Sequence, residues 1–177
     1  MAQYTAYSPD AEVSGAAVLS VISALDARLR PLLDKHGFEI VNSQAWYPQQ
    51  AFLDALRMIE AQGADVLVQS GMKLMDNTIL PKEIQKMEDA LVHLDKIYQI
   101  YHRNDDESRW QVALDVSGCA NCVSCTAYPP DLEYGMLYAL ARRFRPRKAK
   151  FAVQHITKGQ CRQHGGDCCT YQVRWWS

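Results

Sequence analysis

The apolar period of the chain changes near Asp106, and that change limits what it can fold into. Before it, apolar residues recur at steps of three and four; after it, three stretches alternate one by one, with a single helical stretch among them. The first pattern leaves one stripe of a helix to be buried and the second leaves one face of a strand. A chain carrying both in separate blocks folds as an α+β domain, with helices packed on a small antiparallel sheet.

In the helical block, Val18, Ile22, Leu25, Leu29 and Leu32 predict a helix over 15–36. Ser14 is placed as N-cap, Gly37 as the stop, and Pro31 kinks the helix or splits off its last turn. A second helix opens at Tyr47-Pro48, carries Phe52, Leu56 and Ile59, and stops near Gly63. A third covers 64–75, with Gly71 permitting close packing. The longest runs from Pro81 through Ile84, Met87, Leu91, Leu94, Tyr98 and Tyr101 to about Arg103. In the strand block, Trp110–Val116 reads as a strand, Leu132–Phe144 as a helix, and 150–157 with 170–176 as a hairpin. The 177 residues form one domain over 1–177, with 1–14 expected as a flexible arm.

Composition narrows the function. A net charge of −1 gives no overall field for nucleic acid or an acidic membrane, so neither is expected as a partner. The basic run Arg142–Lys150 reads as a solvated helix end. No secretory pattern opens the chain and no stretch approaches the length of a membrane span, which predicts a cytoplasmic protein. There is no nucleotide fingerprint and no clear acid-base pair, so catalysis is not the leading expectation.

All six cysteines fall in the last third. Cys119, Cys122 and Cys125 form a C-x2-C-x2-C run that, as a loop, folds several thiolates around one metal. Cys161, Cys168 and Cys169 bracket a turn containing Gly165-Gly166. In a reducing compartment such thiols point to metal or redox chemistry before disulfides. Soft ligands suit zinc, with a 4Fe-4S cluster as the alternative.

The stretch from Tyr128-Pro129-Pro130 through Gly135 to Leu137, followed by Cys161 through Gly165-Gly166-Asp167 to Cys169-Thr170-Tyr171-Gln172-Val173, resembles the 4-vinyl-reductase-type small-molecule-binding domain. That family shares its fold with the haem nitric-oxide/oxygen sensors. The resemblance implies a sandwich around an apolar pocket, often in a homodimer. It also implies a zinc held by two cysteines eight positions apart, matched by Cys161 and Cys169, together with a further Cys and a Glu. Cys125 is the nearest further Cys. Lys158 stands at the Glu position, so Cys119 or Cys122 would supply the fourth ligand, and Cys168 is spare. Haem is disfavoured on the resemblance, because Tyr98 falls nearest the proximal-ligand position, His93 and His102 only flank it, and the propionate-binding signature has no counterpart. His164 is either a ligand or exposed.

Candidate pocket walls are Trp46, Phe52, Tyr98, Tyr101, His102 and Tyr134. The expected function is a stand-alone small-molecule-binding or sensory protein that takes a small hydrophobic or aromatic ligand and signals through a separate partner. An iron-sulfur redox or gas sensor, and an enzyme or assembly factor of tetrapyrrole metabolism, are the alternatives.

Overall fold

A computed structural model describes residues 4–115, 118–156 and 161–177. The α+β expectation holds, with helices gathered before a four-stranded antiparallel sheet. Helix α1 (Gly15–Ile22) starts where the sequence places it, the Ser14 hydroxyl accepting the Ala17 N–H at 3.3 Å. It stops well short of Gly37. The Ser20 and Ser23 hydroxyls donate to the carbonyls of Ala16 and Ser20, and that local bonding competes with the helix. A separate α2 (Arg30–Asp34) follows with Pro31 in its first turn, and Gly37 at φ 87° provides the expected stop.

Helices α3 (Gln49–Glu60) and α4 (Ala64–Asn77) match their predicted spans to within two residues. The long helix expected from Pro81 is instead two short ones, α5 (Met87–Val92) and α6 (Leu94–Tyr101). They meet at His93, whose backbone leaves helical geometry and whose Nδ1 lies 2.7 Å from the Asp89 carbonyl. Helix α7 (Pro130–Phe144) lies against α4, with Gly71 facing the Leu132 carbonyl and Gly135 facing that of Val68. Only glycine allows the two backbones this approach.

Residues 4–14 are not a free arm. The backbone N–H of Tyr4 donates to Ala127, and β1 (Glu12–Ser14) is the central strand of a small sheet between β2 (Trp46–Pro48) and β3 (His102–Arg103). The larger sheet has the order β4 (Arg109–Asp115), β5 (Cys119–Cys125), β7 (Cys169–Trp176), β6 (Lys150–Ile156). Its inner face presents Ala120, Cys122 and Ser124 of β5 opposite Val173, Tyr171 and Cys169 of β7, all buried. No helix among the described residues is long and apolar enough to cross a membrane.

Candidate ligand cavity and cysteine-histidine site

Between α1, α3, α6, α7 and the sheet lies a cavity of about 140 Å³. Phe52, Tyr98, Tyr101 and His102 line it as the sequence predicts; Trp46 and Tyr134 do not. Trp46 lies under the Arg103 guanidinium, and Tyr134 stacks on Tyr138. Much of the remaining wall is apolar, with Val13, Leu94, Ile97, Trp110 and Leu132 among its residues, and Ser20, Asn77 and Thr78 add polar groups.

A polar pole of the cavity pairs His102, named in the sequence, with Tyr128, which was not named as a wall residue. His102 Nδ1 lies 2.9 Å from the Tyr98 carbonyl oxygen and Nε2 2.7 Å from the Tyr128 hydroxyl. A carbonyl only accepts, so Nδ1 carries the proton; in the neutral ring Nε2 then accepts from Tyr128. Burial keeps the ring neutral by pushing its pKa down to about 4. The Tyr98 ring stacks on His102 at 3.8 Å and donates its hydroxyl to the buried Asp105 carboxylate at 2.6 Å, fixing the stack from behind.

Thr126 and Glu133 form another part of the wall. Glu133 is buried, and its carboxylate accepts from Ser124, Thr126, Arg162 and Tyr171. Arg162, equally buried, also donates to the backbone carbonyl of Thr126. Neither residue stood out in the sequence. Their pairing spans 29 positions and follows no helical or strand period.

Arg162 leads directly to the second site, because its neighbour Cys161 lies 3.3 Å from Cys169 and 3.2 Å from His155 Nε2. The three donor atoms lie within 4.8 Å of one another. Tetrahedral coordination with metal–donor bonds of about 2.0–2.3 Å places donors roughly 3.3–3.8 Å apart, close to the two separations at Cys161, so the set is a candidate for one soft ion with a fourth position left over. Burial pushes the Cys169 thiol up to about 12 and the His155 imidazole down. The imidazole is therefore ready to ligate, whereas the Cys169 thiol must give up its proton as the metal enters.

The remaining cysteines do not join this set. The C-x2-C-x2-C run is strand β5, not a loop, and residues three apart on a strand face opposite sides. Cys122 points inward, and Cys119 and Cys125 alternate to the other face, so the run cannot wrap one cluster. Cys125 is bonded to Cys168 in a disulfide that the sequence reading did not anticipate. Cys168 is thus disulfide-bonded, and among the described residues it is His155, not Cys119, Cys122 or Cys125, whose donor atom groups with those of Cys161 and Cys169. His164 is exposed, and Lys158 lies outside the described residues.

No protein-family model and no curated protein matches this chain. Solved structures do. The H-NOX protein from S. oneidensis in its Fe(II) state superposes with a TM-score of 0.68 at 14% identity, covering 93% of this chain and 96% of that one. The same protein in the Fe(II)NO state gives 0.67 at 15% identity over 93% and 99%. An oxygen-binding H-NOX domain related to soluble guanylate cyclases gives 0.64 at 9% identity over 92% and 93%. The chain has the H-NOX fold.

This likeness corrects the treatment of haem. The resemblance disfavours haem with Tyr98 at the ligand position, yet the chain shares its fold with proteins solved as iron–NO and oxygen complexes, and His102 lines the cavity beside Tyr98 with its Nε2 engaged by the Tyr128 hydroxyl. If haem were bound, His102 would be the residue to hold its iron, being a neutral imidazole with Nδ1–H bonded to a backbone carbonyl. Tyr128, which now occupies Nε2, would have to swing away.

Proposed function

We propose that this chain is a small-molecule-binding sensory domain whose ligand sits in the cavity beside His102 and Tyr128. The observation that carries the reading is a mostly apolar cavity with a buried hydrogen-bonding pair, His102 and Tyr128, in its wall. Its 140 Å³ is close to the roughly 150 Å³ of an apolar protein cavity that takes up benzene or xenon, so a ligand about the size of one aromatic ring or a diatomic gas suits it as it stands. The Tyr128 oxygen is also an acceptor for a ligand that donates a hydrogen bond.

Benzene is the probe for the cavity. It is expected to raise the melting temperature of the wild-type protein, and to do so much less in Ala17→Leu, which fills the wall from α1. No shift in the wild type, or the same shift in both proteins, overturns the reading.

A haem-bound form is the second reading, favoured by the geometry of His102; when bound, haem supplies an iron that takes up a diatomic gas. Haemin titration of the wild type is expected to give a Soret band that is displaced or lost in His102→Ala. A band indifferent to that change counts against it.

The cysteine-histidine set supports a further part of the proposal, a zinc ion held by His155, Cys161 and Cys169 at the base of the terminal hairpin. One equivalent of zinc is expected in purified protein and lost in Cys161→Ser and His155→Ala. The homodimer and the separate signalling partner belong to the same proposal, and sedentation-free mass measurement by light scattering tests the first.

A further inference from the structure

The Cys125–Cys168 disulfide lies immediately beside the donor set. The β5–β7 ladder ends at the pair Ser124↔Cys169, and the disulfide joins the next residue out on each strand. Cys168 and Cys169 are consecutive, so the chain turns one sulfur toward the disulfide and the next toward Cys161. Pinning Cys168 to β5 fixes where Cys169 enters the sheet, and with it the position of one donor. The segment between Cys161 and Cys169 is otherwise a tight turn, folded back by the bonds from the His164 and Gly166 N–H groups to the Cys161 carbonyl and passing through Gly165 at φ 85°.

We propose that the Cys125–Cys168 disulfide is a thiol–disulfide exchange site whose redox state sets how tightly His155, Cys161 and Cys169 hold a metal ion. The inference rests on the metal part of the proposed function. Cys168 is partly exposed and Cys125 is buried, so attack is assigned to the Cys168 side of the bond. The reductant is a low-molecular-weight thiol. Its thiolate attacks Cys168 Sγ, the S–S bond breaks, and the electron pair leaves on Cys125 Sγ, which takes up a proton. A second thiol then attacks the mixed disulfide, releasing the small disulfide and leaving Cys168 as a thiol. Overall, one protein disulfide and two small thiols become two protein thiols and one small disulfide. Without the covalent tie, the start of β7 is held by the ladder alone, and Cys169 samples positions away from Cys161. A site whose donors are not pre-placed binds more weakly.

The test is a zinc-affinity measurement by competition with a chromophoric chelator. It compares the oxidised full-length chain with the same chain reduced by glutathione and freed of it under argon. Alkylation and peptide mass spectrometry identify samples in which Cys161 and Cys169 are free in both forms, and far-UV circular dichroism establishes that the reduced form remains folded. Reduction is expected to weaken zinc binding roughly 10- to 100-fold, the range seen when the support around metal ligands is removed. A Cys125→Ser/Cys168→Ser variant is expected to match the reduced affinity and to be indifferent to glutathione. Equal affinity in both states overturns the inference and leaves the zinc site standing. Tighter binding on reduction also overturns it, by showing that the freed thiols join the metal. Absence of zinc binding in either state overturns the zinc site and the inference together. A disulfide that glutathione does not open while the protein stays folded overturns the exchange step alone.

Discussion

Glu133 is the residue on which most of the interior depends. Its carboxylate is buried and saturated by four donors, and the only formal charge among them is that of Arg162. Replacing Glu133 by Gln leaves the guanidinium buried without a counter-charge, which costs about 3–5 kcal/mol in comparable buried pairs. Urea unfolding is expected to show a loss of that order for Glu133→Gln and a smaller one for Glu133→Leu combined with Arg162→Met, which removes both charges. Equal losses would mean that the pair is not acting as a pair. Little of this was legible in the sequence. The resemblance to a family with two cysteines eight positions apart around a glycine turn singled out Cys161 and Cys169, and the structure brings those two sulfurs together. Their third companion, His155, was not singled out, because it comes from β6 and reaches them through strand pairing in which it lies opposite Tyr171, a register that composition does not encode.

At the scale of elements, local period and capping located α1, α3, α4, α7 and three of the four main strands, because each of those segments buries the face its own period defines. The failures have physical causes. Strand β5 reads as a ligand loop when the cysteines are taken as donors, yet Cys119-Ala-Asn-Cys-Val-Ser-Cys125 buries every second residue. The helix expected from Pro81 carries an unbroken apolar stripe, yet residues 81–86 are not helical, Lys86 being extended, and the backbone at His93 divides what remains. Gly71 was read correctly as a point of close approach; its counterpart Gly135 is held as tightly. A Cβ added at Gly135 would lie 2.1 Å from the Val68 carbonyl oxygen, too close for either helix backbone to absorb. Gly135→Ala is therefore expected to force α4 and α7 apart at a cost of about 3 kcal/mol or more, toward the upper end for overpacking. Thermal unfolding checks this against Gly37→Ala, which costs only the strain of its positive φ because no atom lies near the new methyl.

For the whole molecule, the cavity and the cysteine-histidine site share one wall. Thr126 and Glu133 line the cavity, Glu133 and Thr126 hold Arg162, and Arg162 is bonded in sequence to Cys161. Tyr171 donates to the same carboxylate and stacks on His155 at 4.8 Å. Any state of the cavity that moves Glu133 thereby reaches all the elements that place the metal donors, and this global packing also sets how the fold responds to acid. His102 has a folded-state pKa of about 4 against an ordinary value of 6.5, chiefly because it is buried. Below about pH 6.5 the unfolded chain takes up a proton at this position and the folded chain does not, so the stability present at neutral pH falls as pH drops toward 4. At about 1.36 kcal/mol per pH unit the loss approaches roughly 3 kcal/mol for this one group. Carboxylates contribute their own acid sensitivity, so the informative quantity is the difference between the wild type and His102→Gln, which keeps a polar partner for Tyr128 but does not titrate. Urea unfolding of the ligand-free protein between about pH 7 and about pH 4 is expected to give the variant a shallower decline, with the two curves converging or crossing as the solution becomes acidic. Parallel curves would show that the His102 ring is protonated as readily inside the fold as outside it, and that the cavity pole is wet.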